Sequence, residues 1–217
     1  PVPVSPDAVD IVGTGGDQLG TVNISSMAAI VAAASGTPVL KHGSRSASGK
    51  TGSSEFLEAL GIKLDLAPAR IAEIFNSLRI GFFFAPLFHP ALKNVAQIRK
   101  NLGVPTTFNF LGPLVNPVQP QATALGVANQ DIFGKIADQM AARNRTAIIF
   151  RGQDGLDELS TTSNSYVKLV KDRSQRSLEF NPEDIGLKKA NIADLIGGDA
   201  AENARIANDL FQGKLGD

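Results

Sequence analysis

A cluster of glycines follows the first apolar segment of the chain, in the stretch DIVGTGGD at residues 10–17. Glycine loses more backbone entropy on folding than other residues, so the cluster indicates a turn with positive φ or a close approach to the backbone. Converging N–H groups before a helix would also bind an anion such as phosphate. The loop has the spacing of neither the dinucleotide fingerprint nor the Walker P-loop. Alone, it fits a tight turn as well as a phosphate site.

Two further stretches are rich in hydroxyl groups. NISS, at residues 23–26, opens an Ala-rich segment. Locally it is explained by helix capping, and phosphate or metal-phosphate binding is the alternative. KHGSRSASGKTGSS, at residues 41–54, holds three Lys or Arg side chains and six serines or threonines. A solvated linker can have this composition, but the density of phosphate-type donors favours phosphate binding.

A pair of carboxylates, Asp157 and Glu158, lies in the stretch DGLDELS directly after a candidate strand. Magnesium ions in proteins are typically held by one or two carboxylates together with water and substrate phosphates. An isolated acidic pair is more simply an acidic surface turn. Three phosphate-type loops elsewhere require a counter-cation, so a polyphosphate substrate with Mg²⁺ accounts for all four stretches.

The segments that must position these stretches alternate between strand and helix, which predicts an α/β domain. The continuous apolar run at residues 80–85 predicts a strand that is buried on both faces. Residues 108–120 are dense in glycine and proline and are expected to be irregular. The other predicted strands are 9–12, 37–41, 122–127 and 146–150, with a hairpin of 166–170 and 177–180, and the predicted helices are 23–35, 53–60, 68–78, 90–102, 131–143 and 200–211.

The charge balance narrows the class of protein. The 217 residues include 21 basic and 21 acidic side chains and no cysteine. Such a balance argues against a nucleic-acid coat or a binder of anionic membranes, and the missing cysteine excludes disulfides and thiolate metal sites. Neither a signal peptide nor an apolar run of about 18 residues is found. We therefore expect a soluble, cytoplasmic protein without a nucleic-acid or membrane partner.

Taken together, six blocks closely resemble the anthranilate phosphoribosyltransferase family. They occur in the family's order and are GTGGD, NISS, KHGSRSASGKTGSS, FFFAPLFHPALKNVAQIRKNLG, FNFLGPLVNP and GQDGLDELS. The resemblance implies a central mixed, mostly parallel sheet flanked by helices, with an additional small helical domain. It also implies transfer of the phosphoribosyl group of phosphoribosyl pyrophosphate (PRPP) to the anthranilate amine. Pyrophosphate is released with the help of Mg²⁺, in tryptophan biosynthesis, and the complete protein is expected to be a homodimer.

The resemblance also implies roles for individual residues, while no residue is assigned as a general acid or base. The metal positions are Ser25, Asp157 and Glu158, and the anthranilate positions are Gly13, Ser44, His89 and Arg99. The PRPP positions are Gly13, Gly16, Asp17, Thr21, Asn23, Ile24, Ser25, Ser26, Lys41, His42, Gly43, Arg45, Ser48, Gly49 and Ser53.

Three departures from the family pattern stand out. Ser44 replaces an asparagine associated with anthranilate contact, and Pro105 stands where the family often has arginine. Helices that the family has before GTGGD and at its C-terminal end are expected to be missing. Residues 1–217 are therefore interpreted as one PRPP-binding α/β domain, a fragment from which we expect weak donor binding and little turnover.

Two alternatives to this function remain open at the level of sequence. A pyrimidine nucleoside phosphorylase-like enzyme shares the fold and a related glycine loop but uses free phosphate without the metal pair. A non-catalytic relative that binds nucleic acid is the other alternative, and its expected sign is an excess of Lys and Arg. Fold alone does not decide among them, because function depends on the site.

Overall fold

The computed structural model describes residues 2–45, 51–92 and 106–214, without the side chains of residues 92, 108 and 109. In this part of the chain seven strands form one sheet, in the order β3-β2-β1-β4-β5-β6-β7. Strands β1 to β5 are parallel to one another, whereas β6 is antiparallel to both β5 and β7. The strands are β1 Val9–Gly13, β2 Val39–Gly43, β3 Ile80–Phe84, β4 Ala122–Gly126, β5 Thr146–Gly152, β6 Ser165–Lys171 and β7 Ser174–Phe180.

Helices connect the parallel strands, which confirms the predicted α/β architecture. The α-helices are α1 Ile24–Ala34, α2 Ser53–Ala59, α3 Pro68–Leu78, α4 Ala85–Phe88, α5 Phe108–Leu111, α6 Gln130–Ala142 and α7 Ala200–Phe211. Short 3-10 helices span Pro90–Leu92, Gly112–Leu114, Pro182–Ile185 and Ile192–Leu195. No helix in the described ranges is long and apolar enough to cross a membrane.

The two faces of the sheet carry separate cores. Helix α1 packs Ala29 and Ala33 against Val39 on one face, and α6 packs against Leu125 and Ile149 on the other. Since successive strand residues point to opposite faces, β1 contributes Val9 and Ile11 to the first core and Val12 to the second. The strand order reverses between β1 and β4, and open α/β sheets place their ligands beside such a reversal, at the carboxyl ends of the strands.

Two local predictions were wrong. Strand β3 is an edge strand of the described sheet, and it is buried on one face only: Gly81 and Phe83 are buried, whereas Ile80, Phe82 and Phe84 on the other face are half-buried. The apolar run therefore reflects the packing of helices on the sheet, not a central position in it. Residues 108–114, expected to be irregular, form α5 and a helical turn. Most of the helix predicted at 90–102 lies outside the described residues.

The last helix, α7, is anchored to the middle of the chain. Ala207 is fully buried in a core with Phe56 and Leu57 of α2 and with Met27 of α1. Asp199 begins the helix by accepting a hydrogen bond from the Glu202 N–H at 2.9 Å, an N-cap. This packing brings residues 196–203 beside the start of α1.

Candidate functional site

The glycine loop at the end of β1 is shaped around an acidic side chain. The Gly15 N–H donates to Asp157 Oδ2 at 2.6 Å. A Cβ atom on Gly13 would lie 2.3 Å from that same oxygen. Gly15 and Gly16 have φ of +64° and +86°, a region that glycine adopts without steric cost. The loop therefore provides both the positive φ and the close approach that the sequence predicted as alternatives.

The acidic loop after β5 lies across the carboxyl ends of β1 and β4. Asp157 is only 7% exposed, and Glu158 is half-buried and accepts a hydrogen bond from the Ser25 backbone. The glycine loop, the start of α1 and the acidic pair therefore meet at one place. The structure thus brings together the described parts of stretches that are far apart in the sequence.

Both acidic groups hold their protons more tightly than ordinary carboxyls. Burial raises the pKa of Asp157 to about 6, and the charge of Asp17 adds to the rise. Burial, followed by the charge of Asp157, raises the pKa of Glu158 to about 8. A perturbed carboxylate pair in a cleft is a recognised sign of a functional site.

Lys41 supplies the positive charge nearest to these acids. Its side chain is buried, and Nζ donates to the Ile11 carbonyl at 2.5 Å and to Ser25 Oγ at 3.4 Å. Burial lowers the pKa of Lys41, while the carboxylates of Asp10, Glu158 and Asp157 oppose that shift. The positive charge of Lys41 thus partly offsets the negative charge of the acidic pair. The predicted contact of Lys41 with donor phosphate stays a prediction.

The start of α1 does not follow the capping interpretation. Asn23 makes no side-chain capping bond. Its Nδ2 donates to the Thr51 carbonyl at 3.3 Å, and its Oδ1 accepts from Asn203 Nδ2 at 2.9 Å. Ser26 Oγ is buried without a partner among the described residues. The first N–H groups of α1 find other partners: those of Ile24 and Ser26 donate to the Val22 and Asn23 carbonyls, and that of Ser25 donates to Glu158.

The basic loop after β2 is only partly described. The Arg45 guanidinium forms an ion pair with Glu58 at 2.9 Å and lies 5.6 Å from the centre of the Phe84 ring. Ser53 Oγ donates to the Ser44 carbonyl at 3.2 Å, which closes the base of the loop. Ser48 and Gly49, predicted to contact PRPP, lie outside the described residues, as do Arg99 and Pro105.

Two histidines face each other near this loop. The rings of His42 and His89 are 5.1 Å apart in an edge-to-face arrangement. His42 Nδ1 lies 3.1 Å from the Gly112 carbonyl, so this nitrogen carries the proton and Nε2 is an acceptor. Burial, then the neighbouring His89, lowers the pKa of His42 to about 4. In the described structure both Nε2 atoms are buried without a hydrogen-bond partner.

Sequence analysis missed several residues that build the site. Asp10 is buried within β1, accepts from the His42 N–H at 3.2 Å and from Asn116 Nδ2 at 2.9 Å, and has its pKa raised to about 6 by burial. An acidic residue inside an apolar strand is a signal in the sequence that could have identified Asp10 as part of the site. Asp154 lies in the acidic stretch but was given no role from the sequence. Its carboxylate accepts hydrogen bonds from Ser160 Oγ at 2.5 Å and from Thr162 Oγ1. These bonds fold the acidic loop that presents Asp157.

The oxygen atoms at this site suit a cation that protein groups coordinate only in part. Among the described residues no three His, Asp or Glu side chains converge to form a metal cage. What converges is the pair Asp157 and Glu158 with the Ser25 hydroxyl nearby. Mg²⁺ typically takes one or two carboxylates and completes its octahedron with water and substrate phosphate. The residues present therefore fit Mg²⁺ bound together with a phosphate ligand.

One prediction concerns the tight contact below the acidic pair. A Cβ on Gly126 would lie 1.6 Å from the Asp157 backbone oxygen, so Gly126→Ala must displace the acidic loop. We expect a loss of about 1–3 kcal/mol in the free energy of unfolding. Gly134→Ala is the matched control, because Gly134 lies within α6 with nothing within 4 Å of its Cβ position. It is expected to stabilise by roughly 0.5–1 kcal/mol.

Urea unfolding of the two variants measures both effects. Equal stabilities for Gly126→Ala and the unsubstituted chain would show that the acidic loop is not held against β4.

An α/β domain whose glycine loop and acidic pair meet at the sheet reversal defines the class of protein. The family described as "Glycosyl transferase family, a/b domain" matches residues 5–217, and the chain belongs to that family.

Its similar relatives are anthranilate phosphoribosyltransferases. The one from Leifsonia xyli subsp. xyli is 52% identical over 99% of this chain and 62% of its own length. The one from Rhodococcus jostii is 48% identical over 99% of this chain and 59% of its own length. The chain thus spans about three-fifths of the length of these relatives.

Solved structures of the same enzyme share the fold. Anthranilate phosphoribosyltransferase from Thermus thermophilus superposes with a TM-score of 0.90 at 41% identity, covering 97% of this chain and 63% of that one. The enzyme from Saccharomyces cerevisiae in complex with PRPP and Mg gives a TM-score of 0.86 at 30% identity, covering 95% and 57%.

Proposed function

We propose that this chain is the donor-binding part of an anthranilate phosphoribosyltransferase, which transfers a phosphoribosyl group from PRPP to the anthranilate amine. The observation that carries the proposal is the meeting of the glycine loop, the start of α1 and the acidic pair at the sheet reversal. The Gly15 N–H to Asp157 Oδ2 contact of 2.6 Å marks this meeting. The chain's similarity to enzymes of that name supports it.

On this proposal the donor is held mainly by backbone groups and metal ligands. The glycine loop and the N-terminal end of α1 face the pyrophosphate, since the dipole of a helix favours anions at its N-terminus. Ser25, Asp157 and Glu158 would hold Mg²⁺, whose charge stabilises the departing pyrophosphate. In the absence of the metal, the positive charge of Lys41 partly offsets the negative charge of the carboxylates. The chain's own contribution is positioning and electrostatic stabilisation.

The acceptor would lie on the histidine side of the site. His42, which the family resemblance assigns to PRPP, is kept neutral at pH 7 by its pKa of about 4, and we propose that its Nε2 also accepts a hydrogen bond from an N–H of anthranilate. His89 presents a second unpartnered Nε2 beside it. Ser44 and the Arg99 guanidinium complete the proposed subsite, with Arg99 facing the carboxylate as a bidentate donor. A neutral amine needs no strong general base, and none is assigned.

The activity is tested by following anthranilate fluorescence. Consumption of anthranilate is expected only when PRPP and Mg²⁺ are both present. The 217-residue chain is compared with the same chain joined to the flanking segments of a longer relative. We expect little turnover from the chain alone, because an open acceptor side admits water and weakens electrostatic stabilisation.

Two other outcomes would replace the proposal. Cleavage of thymidine with inorganic phosphate, without Mg²⁺, would identify a nucleoside phosphorylase-like enzyme. Tight binding of nucleic acid without any turnover by the extended chain would identify a non-catalytic relative.

We also propose that the complete protein is a cytoplasmic homodimer. The basis is the family resemblance and the absence of charge features that favour membranes or nucleic acid. Sedimentation of the extended chain at several concentrations tests the dimer, and a single monomeric species would contradict it.

The acidic pair predicts a pH dependence for Mg²⁺-supported PRPP binding. Metal ligation requires ionised carboxylates, and the pKa of Glu158 is raised to about 8. Affinity is therefore expected to fall by about fivefold as pH drops from 8 to 7, because the protonated fraction of Glu158 rises from about one half to about nine tenths and binding must release that proton. Calorimetry in buffers of different ionisation enthalpy measures the proton directly, and binding without proton release at pH 7 would contradict the prediction.

The same pKa fixes the sign of the stability change without metal. A carboxyl whose pKa rises on folding stabilises the fold at low pH, and that contribution is lost as pH rises through the folded value. Unliganded protein should therefore lose stability between pH 5 and pH 8, the range in which ligand affinity grows.

A further inference from the structure

A residue of the last helix closes a ring of hydrogen bonds with the start of α1. Asn203 is 2% exposed and lies 180 positions from its partner Asn23. Its Nδ2 donates to Asn23 Oδ1 at 2.9 Å, and its Oδ1 accepts from the Gly198 N–H at 2.8 Å. Both polar atoms of this buried side chain are therefore committed to backbone and side-chain partners.

The ring is completed by the segment that leads into α2. Asn23 Nδ2 donates to the Thr51 carbonyl at 3.3 Å, and Thr51 Oγ1 donates to the Gly198 carbonyl at 3.1 Å. Four hydrogen bonds thus connect Asn203, Asn23, Thr51 and Gly198 in a closed circuit. The circuit joins the start of α1 to the end of the basic loop, two of the segments that the family resemblance assigns to PRPP.

The ring also explains why Asn23 does not cap its own helix. Asparagine is among the most favoured N-cap residues, yet this one makes no capping bond. Its amide is turned instead toward Thr51 and Asn203. The N–H groups of Ile24 and Ser26 donate to the Val22 and Asn23 carbonyls, and the N–H of Ser25 is left for Glu158. Without Asn203, the Asn23 side chain is free to rotate and compete with Glu158 for the Ser25 N–H.

We infer that Asn203 is a positioning residue for the donor site. It holds Asn23 away from the N-terminus of α1 and fixes Thr51 relative to that N-terminus, so that both segments are ready for phosphate. This inference rests on the proposed function for its ligand, PRPP, but the ring itself is independent of any ligand. A buried, fully satisfied polar network of this kind favours one geometry of the segments it joins.

Three variants of the 217-residue chain test the inference. Asn203→Ala removes both bonds. Asn203→Asp keeps the acceptor for the Gly198 N–H but removes the donor to Asn23. Ala207→Gly is the matched control, because Ala207 is one turn further along α7 and fully buried but makes no bond in the ring. A helix-interior glycine lowers stability, so the control reproduces a loss of stability without the loss of the ring.

The readouts are PRPP affinity in the presence of Mg²⁺, measured by calorimetry, and hydrogen exchange of residues 20–26 and 51–55. Both Asn203 variants are expected to weaken PRPP binding by about 3- to 10-fold, the effect of one or two lost hydrogen bonds. They should also speed exchange in the two segments. Ala207→Gly should change the affinity by less than twofold.

Unchanged affinity and unchanged exchange in Asn203→Asp would overturn the inference. So would an equal loss of affinity in Ala207→Gly, since that would reduce Asn203 to a stabilising role. If the unsubstituted chain binds no PRPP, the proposed function and the donor role of Asn203 both fail. Exchange then decides separately whether Asn203 orders the two segments.

Discussion

Replacing Asp157 by Asn and Glu158 by Gln together is expected to remove at least about 100-fold of the Mg²⁺-dependent affinity for PRPP, the upper end of the loss seen for outer-shell partners of metal ligands. The two substitutions keep the shape of the loop and its hydrogen bond from Gly15 but remove the negative charge. Without that charge the site holds the cation only through the donor's own oxygens. Binding of PRPP in the absence of Mg²⁺ should change far less.

The matched control changes the same two charges elsewhere. Glu183 and Asp184 are an adjacent, exposed acidic pair in the Pro182–Ile185 turn. Glu183→Gln with Asp184→Asn should leave the Mg²⁺ titration unchanged. Titration of PRPP binding against Mg²⁺ measures both variants. An unchanged titration for the Asp157 and Glu158 variant would return that pair to the simpler interpretation of an acidic turn.

Lys41→Met is expected to produce the largest loss of stability. The lysine ammonium is buried beside Asp10, Asp157 and Glu158, and removing one partner of a buried charge group costs about 3–5 kcal/mol because the remaining charges are left uncompensated. The cost should be greatest near pH 8 and smaller near pH 5. At low pH the carboxyls, whose pKa values are already raised, take up protons and no longer need the lysine.

Urea unfolding at pH 5 and pH 8 measures this difference. Lys171→Met is the control, because Lys171 is an exposed residue at the end of β6 and surface substitutions usually stay within about 0.5 kcal/mol. A Lys41→Met variant with the same stability loss at both pH values would show that the lysine is needed for packing alone. A variant with no loss would show that the acids are compensated in another way.

The sequence was informative wherever a structure depends on neighbours in the chain. The glycine loop and the helix bounds at Pro68 and Leu78 follow from residues that set their own φ or begin and end helices locally. Alternating apolar segments predicted a parallel α/β sheet, because each element must bury one face. The six sequence blocks identified the family, and the acidic pair was correctly placed at a strand end.

Only the tertiary structure decided which distant groups meet. The strand order set β3 at the edge of the sheet, although its sequence resembles a central strand. In the folded structure the Lys41 ammonium points inward, toward the Ile11 carbonyl and the Ser25 hydroxyl. The Asn23 side chain, expected to cap α1, instead belongs to the hydrogen-bonded ring that includes Asn203. The physical reason is that a local sequence pattern fixes only the backbone of its own segment. The partner of a buried polar atom depends instead on which segments the sheet and its helices bring together, and these can be 180 residues apart.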